Sequence, residues 1–579
     1  MRSRPVASES VDRSLALLTL VLGAIHAWVG RYSMNPDGMS YLDVGESFFR
    51  HDWANAINAW WSPLYPWAVG LVVGIVKPSP RWEFPVVHAV NFLILGIALL
   101  AFRFLVRGFL AFRFAQPSEA RVEHSQSQHT QVEQSAKLPE WAFWLLAYPI
   151  FWWTALEVET LYGVGPDMAV LAVFCLASGM LLRLRVGDKL WKFAVFGFIL
   201  GIGYWTKAIL FPLGFVILSV AYWWRRSQRS WRVGMATAGV VFLGVSAPFI
   251  LLLSHQKGRF TFGDSGKVAF AWMVSPRTQT RNWQGREPQS GTPAHPTRQL
   301  FQHPPVFEFD GPVVGTYPPW TDPSYWNEGL RGHFRLKPQI EVLAGTVSSE
   351  VRLLLLSKPA LIVGVLALAL LSGWPWWSNL GSVWPLIAMS AIGLAMYLPL
   401  LESDRYLGGF VLVLFLALIA AAEFRAQERR AAIYLAIAVS LTLALGTADY
   451  TVRVVTHHFS ASAGVGPNST LPDVVAAEQL WAMGLRPGDK VAVIEDGAGA
   501  YWARLAKLRI VAEIMDMNHG SLEFWNAPAE VQQNVFKTFA QAHATAVVSM
   551  CPVCPPEAAA GWQRIAGTPY CMRQLVAGH

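Results

Sequence analysis

The feature that most constrains this chain is a succession of apolar segments, each roughly the 17–25 residues a helix needs to cross a bilayer, punctuated by clusters of Arg and Lys. The segments run over 14–30, 84–106, 140–156, 167–184, 192–206, 208–224, 234–253, 352–372, 380–400, 406–423 and 431–449, the pair around Lys207 being short. Basic clusters stand at Arg103/Arg107/Arg113, Arg183/Arg185/Lys189, Arg225/Arg226/Arg229/Arg232 and Arg425/Arg429/Arg430, and each follows an even-numbered segment. Because Lys and Arg collect on the cytoplasmic side of spans, the pattern predicts a mostly α-helical multi-pass protein of the cell (inner) membrane. It predicts about eleven transmembrane helices, with the N-terminus cytoplasmic and the C-terminus extracytoplasmic. The first segment, "SLALLTLVLGAIHAWVG", lacks a small-residue cleavage site and reads as a retained span.

Composition agrees: only 15% of the 579 residues are charged, against roughly a quarter in soluble domains. The formal charge of +8 raises the question of nucleic acid. Many Lys and Arg residues flank apolar runs, where orientation accounts for them, so membrane lipid and not nucleic acid is the expected surroundings. The 27 tryptophans suit bilayer interfaces and carbohydrate-facing clefts.

The sidedness puts three stretches outside: 31–66, 254–350 and 452–579. Residues 1–451 are expected to form a transmembrane domain that includes the first two of these. Residues 452–579 are expected to form an extracytoplasmic α/β accessory domain, in which "DKVAVIED", "RIVAEIM" and "ATAVVSM" read as strands and "LPDVVAAEQLWAMG" and "APAEVQQNVFKTFAQAHA" as helices. "EDGAGAYWARL" reads as a strand-to-helix turn, since it has neither the GxGxxG spacing nor a P-loop lysine. The polar run 115–138 reads as a cytoplasmic linker. Of the four cysteines, Cys175 lies in an apolar helix; one disulfide among Cys551, Cys554 and Cys571 is favoured over a zinc site, which needs about four ligands.

The candidate chemistry begins in "NPDGMSYLDVGESFFRHDWANAINAWWSPLYPW", residues 35–67. An acid held where water is partly excluded can serve as a general base; a solvated loop with tryptophan anchors is the plain alternative. Asp43 lies one to two helical turns beyond Asp37 and is a lesser candidate for the same cleft. Later come "GVGPDMAVLAVFCLA" with Asp167, "GYWTKAILFPLGF" with Lys207, and "LESDRYLGGFVLVLF" with Glu402, Arg405 and Tyr406. Lys207 sits between two apolar segments, where an unpaired cation costs roughly 2.5–3.5 kcal/mol, so either phosphate contact or snorkelling accounts for it. Arg405 reads as a phosphate ligand, as a partner of Glu402 three positions earlier, or as both. Asp167 reads equally as a helix cap.

Through these stretches, in this order, residues 14–425 resemble the GT-C superfamily of integral-membrane glycosyltransferases, and within it the bacterial family-39-like group of aminoarabinose and protein O-mannosyl transferases. The match in the first outer stretch is Asp37, Tyr41 and Ser62-Pro63-Leu64-Tyr65; Gly38 departs from it, standing where many relatives have Glu. The resemblance implies transfer of a sugar, with inversion, from a polyprenyl-phosphate donor to a lipid, glycan or protein acceptor on the outer face. It implies Asp37 as the catalytic base, Lys207 and Arg405 on the donor's phosphate, and Tyr41, Asp43, Asp167, Glu402 and Tyr406 around the cleft. No cofactor is certain, and a role for a divalent cation stays open.

In the segment 254–350, aromatic residues near Asp322, Asn327 and Glu328 suit sugar stacking or a Pro-rich structural loop, and His295 and His303 are not expected to bind metal. Two other classes stay in view: a transporter or flippase of lipid-linked sugars, although no internal repeat is seen, and a non-catalytic scaffold acting through its C-terminal domain.

Overall fold

The computed structural model describes residues 6–115, 135–274, 282–286, 288–295, 297–309, 313–321, 328–400, 403–460, 471–515, 520–550 and 561–575. The chain is a multi-pass membrane protein. Among the described residues, five helices are long and apolar enough to cross a bilayer: Ala7–Val29, Pro80–Phe112, Arg229–Lys257, Trp374–Ala395 and Arg429–His457. A sixth candidate is the pair Leu336–Leu356 and Pro359–Ser372, bent by 68° at the break between them. The apolar stretches at 192–206, 208–224 and 406–423 form the shorter helices Leu190–Thr206, Leu210–Trp224 and Gly408–Ala420. Segment 140–156 becomes helix Glu140–Trp152 running into a π-helical turn, Trp153–Val158, and segment 167–184 becomes helix Asp167–Arg183.

The helices pack through aromatic contacts, such as Phe102 stacked on Phe151 with ring centroids 4.5 Å apart. At the end expected to face the cytoplasm, Arg103 and Arg107 hold the buried Asp12 of the first helix at 2.8 and 2.9 Å. Two members of the first basic cluster therefore tie helices together as well as bearing on orientation.

The stretch 31–66 is not an open loop. It folds into helix Pro36–Phe49, a single turn at Trp53–Ala56 and helix Leu64–Val76. Proline at the first helical position presets the backbone for helix Pro36–Phe49. That helix crosses Leu64–Val76 where two glycines meet: a Cβ on Gly45 would lie 2.8 Å from the Gly70 Cα.

At the C-terminus is a seven-stranded sheet. Its spatial order is Arg298–Phe301, Val306–Glu308, Arg509–Ile514, Lys490–Ile494, Ala546–Met550, Tyr570–Gln574, Trp562–Arg564. The three central strands are parallel and match the three strand sequences read from the chain. The first two strands come from segment 254–350: Val306 pairs antiparallel with Ile514 and Glu308 with Ala512. The sheet therefore reaches beyond 452–579, because the edge of strand Arg509–Ile514 is completed by a hairpin from the earlier segment. Of the cysteines, Cys175 and Cys571 are buried, while Cys551 and Cys554 lie outside the described residues.

Candidate functional site

Asp37 is the second residue of helix Pro36–Phe49, and Asp167 is the first of Asp167–Arg183. Both carboxylates thus stand at helix N-termini, where the backbone dipole favours negative charge. Asn35 joins the two starts by accepting the Val164 backbone N–H through its side chain at 3.0 Å. Lys207 ends helix Leu190–Thr206, and Arg405 lies in the short 3₁₀ turn Asp404–Tyr406 just before Gly408–Ala420.

These four charges, remote in sequence, meet in one cluster. Arg405 Nη2 donates to Asp37 Oδ2 at 2.6 Å, and its Nε lies 3.6 Å from Asp167 Oδ2. Lys207 Nζ donates to Asp167 Oδ1 at 2.7 Å and sits over the Tyr406 ring, 3.4 Å from its centroid. The Tyr406 hydroxyl accepts from Arg405 at 3.1 Å, and its ring stacks on Tyr397 at 5.5 Å. Two anions and two cations balance, which offsets the cost of holding such charges in a partly buried position. Exposure is graded: the Asp167 side chain is 9% exposed, those of Asp37 and Arg405 27% and 29%. Asp167 is thus the more deeply buried carboxylate, shared by both cations, and Asp37 the more exposed one.

Tyr41, one turn after Asp37, is buried with edge-on contacts to Trp61 and Tyr65 at 4.9 and 5.0 Å. Burial, and then the nearby Asp37 and Asp167 carboxylates, push its phenol well up, so it serves as a neutral wall of the cleft.

Asp43 is placed elsewhere. Six residues turn a helix roughly 240°, which carries Asp43 to a different face from Asp37. There its Oδ1 is 2.6 Å from Arg504 Nη1, and its Oδ2 accepts the Thr316 backbone N–H at 2.9 Å. Arg504 also contacts Glu46 and Glu83, and Lys507 reaches Glu83 at 2.7 Å. The expectation that Asp43 shares the Asp37 cleft is corrected: it belongs to a buried junction between helix Pro36–Phe49 and the C-terminal domain. Glu402 lies outside the described residues, as do Asp322 and Asn327; Glu328 pairs with Lys257 at 2.8 Å.

Sequence reasoning passed over Arg504 and Glu83, and it left Glu157 and Glu159, in the loop before Asp167, as acids that could as well be solvated. Glu157 is held by Lys358 at 2.7 Å, and Glu159 is only 5% exposed. Both looked like solvated loop acids because nothing in a short polar stretch signals which carboxyl turns inward. Glu159 lines a small cavity with Asn91, Asp167 and Arg405. No group of three or more His, Cys, Asp or Glu side chains among the described residues could hold a metal ion.

No family model and no curated protein matches the chain. Among solved structures, ArnT from Cupriavidus metallidurans in the apo state is similar, with a TM-score of 0.50 and 12% identity over 97% of this chain and 98% of that one. ArnT from the same organism bound to undecaprenyl phosphate aligns with a TM-score of 0.45 and 13% identity, over 98% of both chains. The Archaeoglobus fulgidus oligosaccharyltransferase tethered to an acceptor peptide aligns at 0.43 and 13%, over 93% of this chain and 69% of that one. The chain shares the overall fold of the apo ArnT structure.

Proposed function

We propose that this protein is a glycosyltransferase that moves one sugar from a polyprenyl-phosphate carrier to an acceptor hydroxyl or amine at the outer face of the membrane. In this reading all eleven apolar segments belong to the membrane-embedded part, with the N-terminus inside and the C-terminal domain outside. The acceptor oxygen or nitrogen attacks the anomeric carbon while Asp37 takes its proton. The bond from that carbon to the phosphate oxygen breaks, and the electron pair leaves with the lipid phosphate. A single displacement of this kind inverts the anomeric centre. Lys207 and Arg405 hold the phosphate as its charge grows, a stabilisation that is strongest where water is excluded. Arg405 suits the task because its planar fork matches phosphate oxygens.

The observation that carries this reading is the Asp37–Arg405–Asp167–Lys207 chain. It sets a half-open carboxylate beside two cations whose charges are fixed from behind by Asp167. The fold it shares with ArnT, and the resemblance of the loop motifs, point the same way. The acceptor class and the sugar are left as wide as the chemistry leaves them.

The test is Asp37→Asn in purified protein given a panel of polyprenyl-phosphate sugars and a membrane extract as the source of acceptors, with release of free polyprenyl phosphate as the readout. Loss of a general base lowers the rate roughly 10²–10⁴-fold, with folding intact. Unchanged transfer by a folded variant would remove Asp37 as the base.

A further inference from the structure

Behind the cluster is a cavity of about 10 Å³, lined by Asn91, Glu159, Thr160, Gly165, Asp167 and Arg405 among others. Two of its lining groups are buried and only half satisfied. The Asn91 side chain accepts the Tyr65 hydroxyl through Oδ1 at 2.7 Å, while its Nδ2 has no partner among the described residues. Glu159 places its Oε1 so close to Gly408 that a Cβ there would come within 2.5 Å. Its Oε2 has no partner among the described residues. Each residue is 5% exposed. Buried polar atoms are nearly always hydrogen-bonded, and a cavity of this size admits about one oxygen.

We propose that Asn91 and Glu159 form a hydrogen-bonding subsite for one hydroxyl of the transferred sugar. The proposal rests on the glycosyltransferase reading and adds to it a residue pair that selects the sugar. A hydroxyl both accepts and donates, which matches an amide N–H on one side and a carboxyl oxygen on the other. A phosphate group would meet the Glu159 and Asp167 carboxylates there with Arg405 as the one lining cation, a poorer match than a neutral hydroxyl. An attacking acceptor does not match either: Asp37, which must reach its proton, is not among the residues lining this cavity. Burial, and then the neighbouring Asp167 carboxylate, push the Glu159 carboxyl well up against the opposing pull of Lys207, in keeping with an uncharged ligand.

The experiment measures binding and transfer on the full-length protein. Undecaprenyl-phosphate glucose, mannose, galactose and arabinose are compared first. The best binder is then remade with each ring hydroxyl removed in turn. Wild type is expected to lose roughly 10- to 100-fold in affinity for one deoxy donor, because its absence leaves buried groups unpaired. Glu159→Ala and Asn91→Leu are expected to bind that deoxy donor and its parent alike, Glu159→Gln to keep part of the preference, and all of them to bind undecaprenyl phosphate itself as wild type does. If wild type binds every deoxy donor equally, the cavity holds a buried water only and the proposal falls. It falls too if the variants lose bare undecaprenyl phosphate as much as the sugar-bearing donor. Should wild type select a hydroxyl in binding yet release no undecaprenyl phosphate when a membrane extract supplies acceptors, the transferase reading fails while the subsite stands.

Discussion

At the residue scale, the cluster is held by Asp167, which serves two cations at once, at 2.7 Å and 3.6 Å. Lys207 has few substitutes, since it lies between two apolar helices and its ammonium is already committed to Asp167 and the Tyr406 ring. Lys207→Met should therefore weaken binding of undecaprenyl phosphate by roughly 10-fold or more, the worth of one charge-assisted contact at a partly buried site. Titration of the purified variant with that lipid checks this, and unaltered affinity would take Lys207 off the phosphate. Asp37, Lys207 and Arg405 were legible in the sequence because a charge beside a membrane-length apolar run is costly and so stands out. Asn91 and Glu159 were not. One lies within a long helix and the other in a short polar turn, and neither position carries a pattern that separates a buried polar group from a wetted one.

At the scale of elements, helix Pro36–Phe49 has two working faces. One presents Asp37 and Tyr41 to the cluster, and the other presents Asp43 and Glu46 to Arg504. Arg504 is 3% exposed, and its removal would leave Asp43 and Glu83 buried with little compensation. Arg504→Met is expected to cost about 3–5 kcal/mol, the usual result of breaking a buried ion pair from one side, read as a drop in the unfolding midpoint. It should also lower transfer, since the helix carrying Asp37 loses its brace. On the same helix, Gly45→Ala would drive a methyl into the backbone of Leu64–Val76, 2.3 Å from the Pro66 carbonyl oxygen. Overpacking of this kind costs about 1–3 kcal/mol, and the variant's thermal unfolding measures it. From sequence, "EDGAGAYWARL" looked like an ordinary turn. Its Arg504 acquires a purpose only when the C-terminal domain docks on the first outer helix.

At the scale of the whole molecule, the C-terminal sheet is bound to the rest by Arg504 and Lys507, by the Tyr317 hydroxyl on Glu513, and by the hairpin that lends it Val306–Glu308. Inside that domain Asp473 accepts the Trp502 backbone N–H at 3.2 Å and the Tyr570 hydroxyl at 3.1 Å. Burial pushes its carboxyl up to about 7. Between about pH 4 and 7 the folded protein then keeps a proton that the unfolded chain gives up, so this group's stabilisation is present at low pH and fades as pH rises. The unfolding midpoint of wild type should fall between pH 5 and pH 8 more than that of Asp473→Asn; parallel pH profiles would exclude Asp473 as the source. The sequence by itself determined the apolar segments, the rhythm of basic clusters, the three central strands and the charges worth suspecting, because hydropathy, alternation and the cost of a buried charge are local properties. Only the tertiary structure decided that Asp37 meets Arg405 across 368 positions, that Asp43 turns to Arg504 instead, and that a sheet edge is completed from a distant segment. Those outcomes depend on helix rotation and on which surfaces dock, and no local stretch of the chain encodes either.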